Sequence, residues 1–152
     1  MKTPVEQWID ALLSGEHVQG KGVLHAKDSN ESKCCLGVAC YIFKDVLGLR
    51  VSEKLRHPRG TEQMVEYDAH TGFLPTSVQD YLGLTDWDGS FQVNEAIGEI
   101  IPRYRGIMRY LKLGYRLGHF SSLSRLNDSG ATFSQIAAVI KLRPKGLFRE
   151  EK

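Results

Sequence analysis

The chain has 152 residues, of which 41% are hydrophobic and 25% charged, and its formal net charge is +2. A chain of this length usually forms one domain, and this apolar fraction excludes a globally disordered protein. No apolar run approaches the roughly 20 residues that a membrane-spanning helix needs, and residues 1–10 lack the pattern of a signal peptide. We therefore expect a cytoplasmic protein with no membrane partner.

The N-terminal segment predicts a helix over residues 4–14. Thr3 and Glu6 form the pattern of a capping box around Pro4, which suits the first helical position. Apolar residues then recur at helical spacing until Gly15, a residue that commonly ends helices.

A short strand is predicted next, over residues 23–26. Residues 34–47 are apolar almost all round, which is typical of a buried central helix. Ser32 is its expected cap, and Gly48 is expected to end it. Gly37 weakens the helix intrinsically, so it indicates a place where another backbone approaches closely.

The rest of the chain alternates turns with short helices. Residues 49–72 are mostly polar and are predicted to be the least ordered part, with a strand only at 64–67. Helices are predicted from Leu74 to Gly83, after Asn94 and after Thr132, which begins a second capping box. The fold class predicted from these elements is α+β, a mostly helical single domain over residues 1–152 with a small sheet near 22–27.

The charges are unevenly distributed. Residues 1–100 carry 9 basic and 15 acidic side chains, whereas residues 101–152 carry 11 basic and 3 acidic ones. Basic and apolar residues alternate over 103–116, which predicts a basic face that binds DNA or an acidic host protein. The alternative is that this basic part pairs with the acidic part of the same chain.

Residues 123–140 resemble the front half of a helix-turn-helix module, with two short helices around a glycine turn. Such a module reads DNA through a further helix in the major groove. Residues 141–152 contain Pro144 and Gly146 and are too short and interrupted to form that helix. Two packed, well-capped helices are the alternative interpretation.

The three cysteines, Cys34, Cys35 and Cys40, lie within seven residues of one another. This spacing fits neither a disulfide framework nor a structural zinc site, so no metal ion is predicted. A helix N-terminus lowers the pKa of a thiol, so Cys34 or Cys35 could be a nucleophile with His25 or His70 as its base. The alternative is that all three thiols are buried and structural.

A turn formed by Gln19, Gly20, Lys21 and Gly22 is the main candidate for ligand binding. Glycines on both sides of a lysine can expose backbone N–H groups to an anion, and the lysine adds a positive charge. Asn127 could hydrogen-bond the ribose or base of the same ligand. Both segments could instead be ordinary turns, with the side chains of Asn127 and Asp128 holding the chain before Thr132.

Several blocks of the sequence occur together in one order along nearly the whole chain. They resemble a widespread family of small, mostly uncharacterised proteins of tailed bacteriophages and prophages. The most specific blocks are Cys34-Cys35-Leu36-Gly37-Val38 and Leu126-Asn127-Asp128-x-Gly130-x-Thr132-Phe133. The other blocks are Trp8-x-x-Ala11-Leu12-x-Ser14-Gly15, Gln19-Gly20-x-Gly22-x-Leu24, Leu74-Pro75 and Leu82-Gly83-Leu84.

The resemblance implies an accessory protein of phage origin in the host bacterial cytoplasm, where such proteins often counter host defence. The leading hypothesis is a non-enzymatic protein without a cofactor that binds a phosphate-bearing small molecule, such as a nucleotide signal. Two alternatives remain open: an inhibitor that binds a host protein or DNA through the 103–116 face, and a cysteine-dependent hydrolase. Oligomer formation is also left open. The predicted ligand-binding residues are Gln19, Gly20, Lys21, Gly22, Arg105, Arg109 and Asn127.

Overall fold

The computed structural model describes residues 1–106 and 120–151. Within them, helices and two small antiparallel sheets form an α+β fold, which confirms the predicted class. The helices are α1 (Pro4–Leu13), α2 (Cys35–Phe43), α3 (Thr76–Leu82), α4 (Glu95–Ile100), α5 (Leu123–Asp128) and α6 (Phe133–Leu142), with a 3₁₀ turn at Pro102–Tyr104. The strands are β1 (Val51–Leu55), β2 (Gln63–Tyr67), β3 (Ser90–Gln92) and β4 (Phe120–Ser122).

The helix starts follow the capping chemistry of the sequence. Thr3 before α1 and Thr132 before α6 both form reciprocal capping boxes, and Asn94 accepts from the backbone N–H of Ile97 at the start of α4. The prediction that Ser32 caps the central helix is wrong, because the Ser32 hydroxyl donates to the Asp28 carboxylate instead. Cys34 takes its place, and its Sγ accepts from the backbone N–H of Gly37.

Helix α2 lies at the centre of the core, with residues 35–40 all buried. Helices α1, α3 and α5 pack against it, and α6 packs against α1, α4 and α5. Helix α2 ends at Phe43, earlier than predicted, and residues 44–48 form turns up to Gly48, whose φ is +61°. The tight approach expected at Gly37 is confirmed, since its Cα faces the backbone of Leu24.

Residues 49–72, which were predicted to be the least ordered part of the chain, contain a β-hairpin instead. Strand β1 pairs with β2 in antiparallel register, from Val51 opposite Tyr67 to Leu55 opposite Gln63. The polar composition misled the prediction because every residue of β1 is exposed and only β2 contributes to the core. The predicted strand at 64–67 is thus confirmed, and its partner was missed.

The chain near residues 23–27 extends this hairpin on the other side of β2. The backbone N–H of Val65 donates to the carbonyl of His25, and that of Lys27 donates to the carbonyl of Gln63, both over 2.8 Å. The second sheet, β3 with β4, was not predicted, because each of its strands has three residues. Among the described residues, no helix is long and apolar enough to span a membrane.

The contact at Gly37 generates a stability prediction. A Cβ at this position would lie 1.6 Å from the carbonyl oxygen of Leu24, so the Gly37→Ala variant forces α2 and residue 24 apart. Alanine usually stabilises a helix interior by about 0.5–1 kcal/mol over glycine, whereas we expect a loss of more than about 3 kcal/mol in unfolding free energy. Urea denaturation measures this loss.

The matched control is Gly72→Ala, because a Cβ there meets nothing within 4 Å. This variant should keep its unfolding free energy within about 1 kcal/mol of the wild type. A Gly37→Ala protein as stable as the control would contradict the packing of α2 described above.

Candidate functional site

Three of the predicted ligand-binding residues meet in a buried polar network around Asn127. This side chain at the end of α5 is fully buried, and its Nδ2 donates to the carbonyl of Gly20 over 2.7 Å. Its Oδ1 accepts from Gln19 Nε2 over 3.0 Å and from the backbone N–H of Cys35 over 3.1 Å. The amide thus ties the 19–22 turn and the start of α2 to α5.

The backbone N–H groups expected to bind an anion in the 19–22 turn already have protein partners. That of Gly20 donates to the carbonyl of Lys33 over 2.8 Å, and that of Gly22 donates to the Asp128 carboxylate over 3.0 Å. A carboxylate so close to the turn opposes a phosphate by like charge. The geometry favours a structural turn with an exposed Lys21, and the ligand role of these residues stays a prediction.

The predicted basic face falls mostly outside the described residues, and Arg109 lies there too. Arg105 is described, and its Nε donates to the carbonyl of Gly98 on α4 over 3.3 Å. Arg103 donates from Nη1 to the carbonyl of Ser129, also over 3.3 Å. The role of residues 103–116 in binding DNA or a host protein stays a prediction.

The segment that resembles a helix-turn-helix module does form two helices, α5 and α6, joined by a turn at residues 129–132. Residues 143–151 contain no helix, so the described chain does not continue into a recognition helix. The exposed arginine that ends α6, Arg143, has a left-handed φ of +47° and lies over the Phe148 ring.

The thiols of Cys34, Cys35 and Cys40 are free and buried. Burial raises the pKa of Cys34 to about 11 and that of the other two well above the ordinary value. The prediction that the helix N-terminus lowers the pKa of Cys34 or Cys35 is wrong, because desolvation of these thiols outweighs their backbone hydrogen bonds. The predicted base, His25, is hydrogen-bonded to other residues.

The ring of His25 forms a second polar cluster, together with Glu31 and with Tyr67 of strand β2. Nε2 lies 2.6 Å from Glu31 Oε2, and Nδ1 lies 2.8 Å from the hydroxyl of the buried Tyr67. Because a carboxylate can only accept, Nε2 carries the hydrogen, and Nδ1 of the neutral ring accepts from Tyr67. Burial lowers the pKa of His25, which favours this neutral form, although the Glu31 hydrogen bond opposes it.

His25 and Tyr67 line a pocket of about 220 Å³ between α2 and the β1–β2 hairpin, called here the His25 pocket. It is defined by His25, Lys27, Tyr41, Lys44, Ser52 and Tyr67, and Val51, Glu53 and Val65 complete its wall. A concave site that contains titratable groups with shifted pKa values is a candidate functional site.

Two lysines converge on one aromatic ring at this pocket. Lys33 Nζ lies 4.5 Å and Lys44 Nζ 4.2 Å from the centroid of the Tyr41 ring. Lys33 is only 5% exposed, and its Nζ donates to the carbonyl of Glu31. Burial lowers the pKa of Lys33, and the negative charge of the Glu31 carboxylate only partly offsets this effect.

Of the residues that line this pocket, only His25 was predicted from the sequence to be functional, and its predicted role was that of a base for a cysteine nucleophile. The signal in the sequence was weak: Tyr41 and Lys44 interrupt the apolar run of the central helix, three residues apart, and so share a face. Tyr67 and His25 are 42 residues apart, and their contact depends on how the hairpin pairs with residues 25–27.

Comparison with protein families found one matching family model, whose description is "Domain of unknown function (DUF8296)" and which covers residues 1–143. The comparisons with curated proteins and with solved structures found no match.

The Asn127 network predicts a large loss of stability in the Asn127→Ala variant. Removing the amide leaves the Cys35 N–H and the Gly20 carbonyl without their partner, and each buried unpaired group costs about 1–3 kcal/mol. We expect the unfolding free energy to fall by about 2–4 kcal/mol in chemical denaturation. The exposed Asn30 provides a matched control, and Asn30→Ala should change stability by less than about 0.5 kcal/mol. Equal stability of the two variants would contradict the structural role of Asn127.

The raised thiol pKa values predict slow thiol chemistry in the native protein. With a pKa of about 11, Cys34 is a thiolate in about one molecule in a thousand at pH 8. Ellman's reagent should therefore react with the three cysteines rapidly only after unfolding in guanidinium chloride. Rapid modification of native Cys34 would contradict this prediction and favour the cysteine-dependent hydrolase.

Proposed function

We propose that this chain, which belongs to the DUF8296 family, binds a small phosphate-bearing molecule such as a nucleotide in the His25 pocket. The observation that carries the proposal is the convergence of Lys33 and Lys44 on the Tyr41 ring beside that pocket. In this proposal the 19–22 turn has a structural role, because its hydrogen bonds to Asn127 hold it against α5, and the ligand binds in the His25 pocket.

The charge balance at the pocket supports an anionic ligand. Lys27 is compensated, since its ammonium lies 2.8 Å from Glu31 and 3.7 Å from Glu53. Within the described residues, Lys44 contacts the carbonyl and the ring of Tyr41 and, 3.7 Å away, the exposed carboxylate of Asp45. A phosphate at the mouth of the pocket would give Lys44 a charge-assisted hydrogen bond, and it would stabilise the charge of Lys33 behind the ring.

The aromatic walls and the size of the pocket indicate the class of ligand. Tyr41, which is 39% exposed, offers ring surface to a base or sugar, and Ser52 offers a hydroxyl. The volume of about 220 Å³ is below the roughly 300–1,000 Å³ of pockets that enclose drug-sized ligands. We therefore propose a mononucleotide or a smaller sugar phosphate, with part of the molecule left outside the pocket.

Binding without turnover fits the state of His25. Both ring nitrogens are engaged, one with Glu31 and one with Tyr67, so neither is available to remove a proton from a ligand. We therefore propose that the protein captures its ligand unchanged. The phage origin and the anti-defence role implied by the sequence blocks complete the proposal, with the ligand as a host nucleotide signal.

Isothermal titration calorimetry with adenosine monophosphate tests the proposal, with adenosine as the probe that lacks the phosphate. We expect the monophosphate to bind and adenosine to bind at least tenfold more weakly, because the Lys44 ammonium contacts the phosphate. Lys44→Gln should weaken binding of the monophosphate by about tenfold.

The matched control is Lys54→Gln, which removes the same charge from the exposed strand β1 outside the pocket wall. It should leave the affinity unchanged. Equal losses in the two variants would show a nonspecific charge effect and overturn the assignment of the pocket. Absence of binding by adenosine monophosphate, ribose 5-phosphate and inorganic phosphate would overturn the proposed function.

A further inference from the structure

A second pocket, of about 210 Å³, lies between the 19–22 turn and helix α5. It is called here the Asp128 pocket, and its wall includes Gly22, Cys34, Phe73, Ser124 and Asp128. None of these residues belongs to the His25 pocket. Cys34 contributes a neutral thiol to the wall, because burial raises its pKa to about 11. Asp128 is thus the charged group in this wall.

The Asp128 carboxylate is anchored through one of its two oxygens. Oδ1 accepts from the backbone N–H of Gly22 over 3.0 Å and from Asn127 Nδ2 over 3.3 Å. Within residues 1–106 and 120–151, Oδ2 accepts no hydrogen bond and joins no ion pair. Arg56 approaches Gly22 at the rim but forms no ion pair with Asp128 in this part of the chain. The carboxylate is therefore held in place with one oxygen left to accept from a ligand.

Two exposed aromatic rings stand beside the pocket. Phe73, in the pocket wall, is 49% exposed, and Trp87 is 58% exposed, with 5.8 Å between their ring centroids. The backbone N–H of Leu74 donates to the carbonyl of Trp87 over 3.1 Å, and that of Ser124 donates to the carbonyl of Asp88 over 3.2 Å. These bonds fix the turn that carries Trp87 against both Phe73 and the start of α5.

The charges around Trp87 have the same sign as Asp128. Asp86 and Asp88 flank it in the chain, and both carboxyl groups are hydrogen-bonded to Ser90. Burial and the neighbouring Asp86 raise the pKa of Asp88, which is the effect of two carboxyl groups placed close together. The negative field of these groups and the faces of two aromatic rings both favour a cation.

We propose that the Asp128 pocket and the Phe73–Trp87 pair bind an organic cation that carries a guanidinium or alkylammonium group. The cation donates to Asp128 Oδ2 and lies against the exposed aromatic faces. Its source is either a free small molecule or the arginine or lysine side chain of a partner protein. This site is separate from the His25 pocket and does not depend on the phosphate-binding function.

Tryptophan fluorescence of the full chain reports directly on this site. The other tryptophan, Trp8, is fully buried, so a ligand-induced change arises from Trp87, and Trp87→Phe should abolish it. The probe is Nα-acetyl-L-arginine amide (arginine amide below), whose one cationic group is the guanidinium, titrated at constant ionic strength. Nα-acetyl-L-citrulline amide (citrulline amide below), which has nearly the same shape and no charge, is the matched control. We expect saturable binding of arginine amide with a dissociation constant below ~10 mM and no saturation with citrulline amide.

Two variants assign the binding to the pocket. Asp128→Asn keeps an acceptor for the Gly22 N–H and should weaken binding at least tenfold, whereas Asp45→Asn, at a carboxylate that is 94% exposed, should not change it. Phe73→Leu keeps an apolar wall and should weaken binding about threefold or more, because the cation loses one aromatic face. Melting temperatures confirm that each variant is folded.

The outcomes separate the two sources of the cation. An acetylated and amidated Gly-Arg-Gly peptide that binds more tightly than arginine amide supports a partner protein, and equal or weaker binding supports a free small molecule.

The proposal is overturned if arginine amide gives no saturable change, if citrulline amide binds equally well, or if Asp128→Asn binds as the wild type does. The affinity of the Asp128→Asn variant for adenosine monophosphate should equal that of the wild type. Failure of the cation-site proposal is therefore distinguishable from failure of the proposed function.

Discussion

The hydrogen bonds of the Asn127 side chain connect the parts of the chain on which both candidate sites depend. One fully buried amide bonds to Gln19, Gly20 and Cys35, which lie 108, 107 and 92 residues away in sequence. It thereby holds the loop before α2 against α5. The loop carries Gly22 to the Asp128 pocket, His25 to the His25 pocket, and Lys33 to the Tyr41 ring beside it. A buried amide whose donors and acceptor are all satisfied fixes one arrangement of these segments.

The contact between Gly37 and Leu24 adds the second constraint. It lets α2 lie directly on the backbone of Leu24, and this position places the apolar side of the helix in the core. Tyr41 and Lys44, near the end of the helix, then reach the hairpin at the edge of the core. The same packing that buries the thiols of Cys34 and Cys35 thus brings Tyr41 and Lys44 to the wall of the pocket.

Local patterns predicted the helices better than they predicted the strands or the sites. Capping boxes at Thr3 and Thr132 and the cap at Asn94 depend on residues three apart, so the sequence displays them directly. Strand β1 has no buried face and therefore no alternating pattern. The predicted meeting of Gln19, Gly20 and Asn127 is present, and their hydrogen bonds join protein groups. The His25–Tyr67 contact was missed because only the pairing of distant strands produces it.

We propose that an anion binds in the His25 pocket, away from the 19–22 turn. Amide chemical-shift mapping of the ¹⁵N-labelled protein with adenosine monophosphate tests it most directly. We expect perturbations at Val51, Ser52, Val65 and Lys44, which line the pocket, with little change at Gly20 and Gly22. Perturbations confined to the 19–22 turn, or none at all, would contradict it.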